Sequence, residues 1–193
     1  MIAAVRGTLR DKGRDQVSVS IGAIDLVVFV PATVLSADLA PGDRVELFTY
    51  LHVREDDLSL YGFESAQQRD LFKLLLGVNG VGPRTAMSIL SIFSTDVLIT
   101  AIVEGKAEVL ARAPGVGQKT GQRIVLHLQD KLESMRPAGA PAISEADEDV
   151  IAALTGLGYS LVEAQRAVQL LPREVAGVEE RLRLALERFG SRA

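Results

Sequence analysis

A seven-residue pattern occurs twice, 35 residues apart, and constrains this 193-residue chain more than any other feature. Gly80-Val81-Gly82-Pro83-Arg84-Thr85-Ala86 recurs as Gly115-Val116-Gly117-Gln118-Lys119-Thr120-Gly121, and each copy lies between two helical patterns. The first glycine permits positive φ in a tight bend, and the second allows a backbone to come close with no Cβ in the way. The intervening valine fills the space between the helices. Pro83 suits the first turn of the next helix, where its missing N–H is not needed. Each copy therefore opens a helix with a row of free backbone amides, which favours a phosphate oxygen and reads no base.

Other glycine loops fail on spacing. A Walker A loop needs glycine directly before Lys-Thr, and position 118 is Gln. A dinucleotide fingerprint needs a third glycine where Thr120 stands, after a strand that the pattern does not supply. What remains is a tandem helix-hairpin-helix, or two αα-hairpins whose glycines serve only the turn. Arg84 and Lys119, at equivalent positions, favour the former. Two cations neutralise about two phosphates, a log–log salt slope of only about −2, so firm binding needs several subunits acting together.

The flanks differ in period. Ile2–Leu9, Val17–Ile21, Ile24–Val30, Val45–Val53 and Leu58–Phe63 read as five short strands, which fit an OB-like barrel because closure hides the sheet edges. At Ser65 a capping box with Gln68 opens helical periodicity, and helices are expected over 66–76, 83–91, 95–103, 106–112 and 118–134. The Pro/Gly/Ala-rich stretch 136–145 reads as a linker spanning at most about 33–36 Å. Beyond it, 146–193 holds three amphipathic patterns, over 146–156, from a second capping box of Ser160 with Glu163, and over 176–189. The expected domains are thus a barrel over 1–63, an all-α tandem hairpin domain over 64–135, the linker, and a small three-helix unit over 146–193, a multidomain α+β fold.

Composition narrows the chemistry. The absence of cysteine removes disulfides, thiolate zinc sites and cysteine nucleophiles. The only histidines, His52 and His127, lack metal-ligand spacing and read as structural. No apolar run approaches a membrane span, so a cytoplasmic location is expected. No catalytic residue, metal or cofactor is expected. The net charge of −4 is unevenly spread: 6 basic and 9 acidic residues over 1–63, 9 and 7 over 64–136, and 6 and 9 over 137–193. Only the hairpin region is basic, which places a polyanion there.

Read together, this order of elements with Arg54-Glu55-Asp56, Leu60-Tyr61-Gly62-Phe63, Asn79-Gly80-Val81-Gly82-Pro83, Pro114-Gly115-Val116-Gly117 and Leu157-Gly158-Tyr159 resembles the RuvA family, the Holliday-junction-binding subunits of bacterial branch-migration machines in recombination and repair. The resemblance covers essentially the whole chain. It implies a homotetramer, or an octamer of two, that holds four-way junction DNA open and square-planar, and a UBA-like C-terminal unit that recruits the hexameric RuvB ATPase. The RuvC resolvase is a further candidate partner. The DNA-binding set is then Gly80, Val81, Gly82, Arg84, Thr85, Gly115, Val116, Gly117, Gln118, Lys119 and Thr120. Leu157, Gly158 and Tyr159 would meet the motor, with Leu154 inside the small core. Gln118, where the family often has lysine, and Gly121, where alanine is usual, imply a weaker second grip and a less firmly started helix.

Taken alone, Glu55-Asp56-Asp57 reads as a solvated turn. The resemblance makes Glu55 and Asp56 an acidic pin at the tetramer centre, where carboxylates repel phosphates and keep strands apart; Asp57 stays a turn residue. The rival from another class is a helix-hairpin-helix nuclease using all three carboxylates with Mg²⁺. A single-strand binder acting through the barrel is disfavoured by an aromatic content of 5% and no tryptophan.

Overall fold

Alternating burial in the first third of the chain becomes a closed ring. In β1 (Ala4–Lys12), β2 (Gln16–Ser20), β3 (Asp25–Phe29), β4 (Arg44–Val53) and β5 (Leu58–Phe63), residues such as Val5, Leu9, Val17, Val19, Val28 and Leu47 turn into the interior. The order around the barrel is β1-β2-β3-β5-β4, an OB-fold barrel as expected. An antiparallel β1–β4 ladder and a parallel β3–β5 contact, Phe29 opposite Tyr61, complete it. Gly62 makes the closure possible, since a Cβ there would lie 2.6 Å from Val28 Cγ1. The computed structural model describes residues 2–133, 145–159, 161–169, 171, 175 and 177–190.

Between β3 and β4 lies α1 (Ala32–Leu35), an element too short for sequence periodicity to register. Pro31 ends the strand and opens this turn, whose Val34 plugs the barrel core.

At Ser65 the chain becomes helical. The Ser65 hydroxyl accepts the Gln68 N–H at 3.1 Å, and the Gln68 side chain accepts the Glu64 N–H at 3.3 Å. This differs from the standard box, in which the return bond goes to the cap residue itself. There follow α2 (Ala66–Leu76), α3 (Pro83–Ile92), α4 (Thr95–Val103), α5 (Ala107–Leu110) and α6 (Gln118–Glu133). Every residue of α4 from Val97 to Val103 is buried, so this helix is the centre of the domain. No single helix among the described residues is long and apolar enough to cross a membrane; α3 and α4 pass that test only together, with a bend of 106°.

Phe72 of α2 joins barrel to helices. Its ring centroid lies 5.0 Å from Tyr61 and from Phe63 of β5, and 5.7 Å from Tyr50 of β4. Such aromatic pairs add about 0.5–1.5 kcal/mol beyond their area burial. The Ala32 N–H also donates to Ser91 Oγ of α3 at 3.0 Å. The hairpin domain is therefore packed on the barrel through a shared core.

The C-terminal unit consists of α7 (Glu145–Gly156), α8 (Leu161–Gln169) and α9 (Val178–Gly190) around Val150, Leu154, Ala164 and Ala185. Arg181 of α9 donates through Nε to Asp147 of α7 at 3.0 Å, and both residues are buried. Removing one partner from such a pair costs about 3–5 kcal/mol, a large sum for so small a core. The expected linker, apart from Glu145, and Ser160 of the expected capping box lie outside the described residues.

Candidate nucleic-acid interface

The two hairpins agree bond for bond. Gly80 has φ +85° and Gly115 +82°. The Val81 N–H donates to Val78 O at 3.0 Å, and at the equivalent place Val116 donates to Ala113 O at 3.0 Å. Ala86 donates to Gly82 O at 3.0 Å, and Gly121 to Gly117 O at 2.9 Å. Val81 and Val116 are both buried in the shared core, so their side chains wedge the bends and only their backbone can meet a ligand.

The second glycine of each copy separates the two explanations of the pattern. Gly82 has φ −92°, which any residue adopts, and Gly117 is not among the positive-φ glycines. A Cβ built on either meets nothing within 4 Å. Turn formation therefore accounts for Gly80 and Gly115 but not for Gly82 and Gly117. Both lie exposed at the mouth of a helix whose first-turn amides have no intrahelical partner, where the partial positive charge of the helix dipole is concentrated. Arg84, Lys119 and Gln118 are exposed beside them, and Thr85 and Thr120 are half-buried. Among the described residues neither Arg84 nor Lys119 forms an ion pair, which leaves both charges available.

Gly121 has a packing reason that the sequence did not show. A Cβ there would sit 2.6 Å from the Ala107 carbonyl oxygen, so the glycine lets α5 press against α6. Two further residues escaped the sequence reading. Arg123 Nη1 donates to Asn79 O at 2.8 Å, and Ser88 Oγ donates to Pro114 O at 2.9 Å. The available signal was their common place in the 35-residue repeat.

The acidic triplet closes β4 onto β5, with Arg54 N–H donating to Asp57 O at 2.8 Å. Glu55 and Asp56 are exposed at the tip, while the Asp57 carboxylate accepts the Ser59 hydroxyl and so belongs to the turn. Val53 and Leu58, paired at the base, are 63% and 71% exposed. His52 accepts from Arg54 Nε at 3.0 Å, and His127 lies 3.2 Å from Lys131 Nζ one turn along α6. Burial, with a smaller contribution from the negative charge of Asp57, holds the Tyr61 hydroxyl above its ordinary range, so it stays a neutral phenol. Among the described residues no group of three or more His, Asp or Glu converges as metal ligands would.

In the C-terminal unit Leu154 is fully buried, Tyr159 packs against the core, and Leu157 is 61% exposed. Gly158, with φ +96°, ends α7 in a Schellman motif: its N–H donates to Thr155 O at 3.1 Å and that of Tyr159 to Leu154 O at 3.2 Å. Leu157 is thus the one of the three whose side chain the local fold leaves in solvent.

Comparison with known proteins agrees with this arrangement along the chain. Residues 1–62 match the RuvA N terminal domain, 72–130 the SAM-like helix-hairpin-helix tandem, and 145–188 the RuvA C-terminal domain. The chain is 45% identical over 195 residues to the Holliday junction branch migration complex subunit RuvA of Herpetosiphon aurantiacus, covering 98% of this chain and 99% of that protein. It is 43% identical to the protein of the same name from Thermomicrobium roseum, over 98% of each, and 39% identical to that of Dehalococcoides mccartyi, over 100% of each. With barrel, paired hairpins and C-terminal unit all matched in order, the chain belongs to the RuvA family.

Proposed function

We propose that this protein is the junction-binding subunit of a branch-migration complex, holding a four-way DNA junction open and square-planar while a separate motor drives the arms. The observation that carries this is the pair of second glycines, Gly82 and Gly117, open to solvent and unneeded by the fold. Amides at Gly82, Arg84 and Thr85, and at Gly117, Gln118, Lys119 and Thr120, grip sugar–phosphate backbones, with Gly80 and Gly115 shaping the bends. Sequence-independent grip suits a protein that must let DNA slide. With few cations per hairpin pair, tight binding comes from four-fold repetition in a tetramer, or eight-fold in an octamer.

Glu55 and Asp56 form the central pin, and four copies gathered at the crossover keep strands separated by repulsion. The chain has no Walker A lysine, so ATP hydrolysis belongs to the RuvB hexamer, recruited by the unit over 146–193 through a surface that includes Leu157. The segment 136–145 tethers that unit to the barrel and hairpins over 1–63 and 64–135. The RuvC resolvase is a second partner able to use the open junction.

The test is a gel-shift comparison of a four-way junction with linear duplex of equal length, with light scattering on the same sample. Preferential binding of the junction by a tetramer or octamer is the expected result; equal affinity for both DNAs would overturn the proposal. Replacing Glu55 and Asp56 by Gln and Asn should retain or tighten DNA binding and weaken junction preference. If the wild-type protein cleaves DNA with Mg²⁺ and this variant does not, the chain is a nuclease.

A further inference from the structure

The two hydrogen bonds that tie the hairpins together are reciprocal. Arg123, in the helix after the second hairpin, donates to the carbonyl of Asn79, the residue before the first hairpin's glycine. Ser88, in the helix after the first hairpin, donates to the carbonyl of Pro114, the residue before the second hairpin's glycine. Asn79 and Pro114 are equivalent in the 35-residue repeat, and so are Ser88 and Arg123. Each helix thus holds the other's bend by the same backbone atom from the same register position, although the donors are chemically unrelated.

We propose that this crossed clasp fixes the distance between the two amide cradles, making Ser88 and Arg123 positioning residues for DNA binding. The inference rests on the functional reading above. The shared core holds the helices, but the bends lie at its rim, where the amides of Gly82 and Gly117 are exposed. A clasp from each helix to the other's bend ties the cradles together there. With the spacing preset, engaging one cradle presents the second at high effective concentration; without it, part of that advantage is spent on ordering the bends. Arg123 also fills the space beside Gly80, where its Nη1 lies 2.8 Å from the site of a Cβ, so the first bend is held on two counts.

Ser88 carries no charge, which separates clasping from neutralisation. Ser88→Ala should bind a four-way junction about three- to tenfold more weakly, the factor one ordinary hydrogen bond is worth. Its salt slope should stay unchanged, and Ser88→Thr should restore the affinity. A DNA-free measurement is open because the chain has no cysteine. Nitroxides on Arg84→Cys and Lys119→Cys should give one narrow distance distribution, which broadens when Ser88→Ala and Arg123→Gln are added. An unbroadened distribution overturns the clasp whether or not DNA binds. Unchanged affinity in Ser88→Ala, with wild type binding normally, overturns its role in binding. A wild-type chain that ignores junctions while the distribution broadens leaves the clasp standing and removes the functional reading.

Discussion

The first hairpin and the second share one backbone and diverge in side chains at a few register positions. Pro83 faces Gln118, Ala86 faces Gly121, and Ser88 faces Arg123. What is common, the glycine-valine-glycine bend and its hydrogen bonds, fixes where a helix N-terminus points. What differs adjusts each cradle. Pro83 presets the first helix but removes an amide that Gln118 keeps in the second. Gly121 gives up helix propensity to admit the Ala107 carbonyl, whereas Ala86 is a fully buried alanine in a helix of its own. One geometry can therefore be built with two sets of local compromises, provided the positions that define it are kept.

The largest effect should follow from adding one methyl group to each cradle. Gly82→Ala and Gly117→Ala fit the fold, because a Cβ at either meets nothing. The melting temperature should stay within a degree or two of wild type. A phosphate kept from the amides loses charge-assisted hydrogen bonds worth about 1.5–3 kcal/mol each, so each substitution should weaken junction binding about 10- to 100-fold. Equal losses would make the cradles equivalent ligand sites. A loss confined to one hairpin would break the symmetry and leave the other as scaffold.

Next in size is an exchange at the third position of divergence. Ala86→Gly gives up helix propensity and a buried methyl group, together about 1–2 kcal/mol. Gly121→Ala regains propensity but drives a methyl into the Ala107 carbonyl, and overpacking against backbone costs about 1–3 kcal/mol. Both exchanges should lower the urea midpoint, Gly121→Ala by the smaller net amount. If Gly121→Ala raised the midpoint instead, α5 would not be pressed on α6, and the hairpins would be interchangeable at this position.

The same contrast explains how far the sequence could be read. Strands and helices were legible because their burial follows a period: Val17 and Val19 alternate inward, and Leu71, Phe72 and Leu75 line one face of α2. The bends were legible because positive φ demands glycine, as at Gly80 and Gly115. The four residues of α1 were not, since one turn shows no period. Nor were the crossed bonds of Ser88 and Arg123, because their acceptors are backbone carbonyls, which carry no sequence identity. Gly121 was visible as an oddity, but the oxygen that explains it belongs to a residue 14 positions away.

The smallest effects concern charge alone. Arg84→Ala and Lys119→Ala should each leave the fold intact, since both side chains are exposed, and among the described residues neither is in an ion pair. Each should flatten the log–log salt slope by about 0.9 for every phosphate that one copy contacts, with little change in preference for junction over duplex, because phosphate contacts are blind to DNA sequence. Gln118→Lys should steepen it by a similar amount and tighten binding most at low salt. If the second cradle meets a phosphate as the first does, a lysine at its first helical position stands where counterions are released, and the gain should vanish in Lys119→Ala/Gln118→Lys relative to wild type. A slope indifferent to Gln118→Lys but sensitive to Arg84→Ala would mean that the first hairpin carries the contact and the second carries only the spacing.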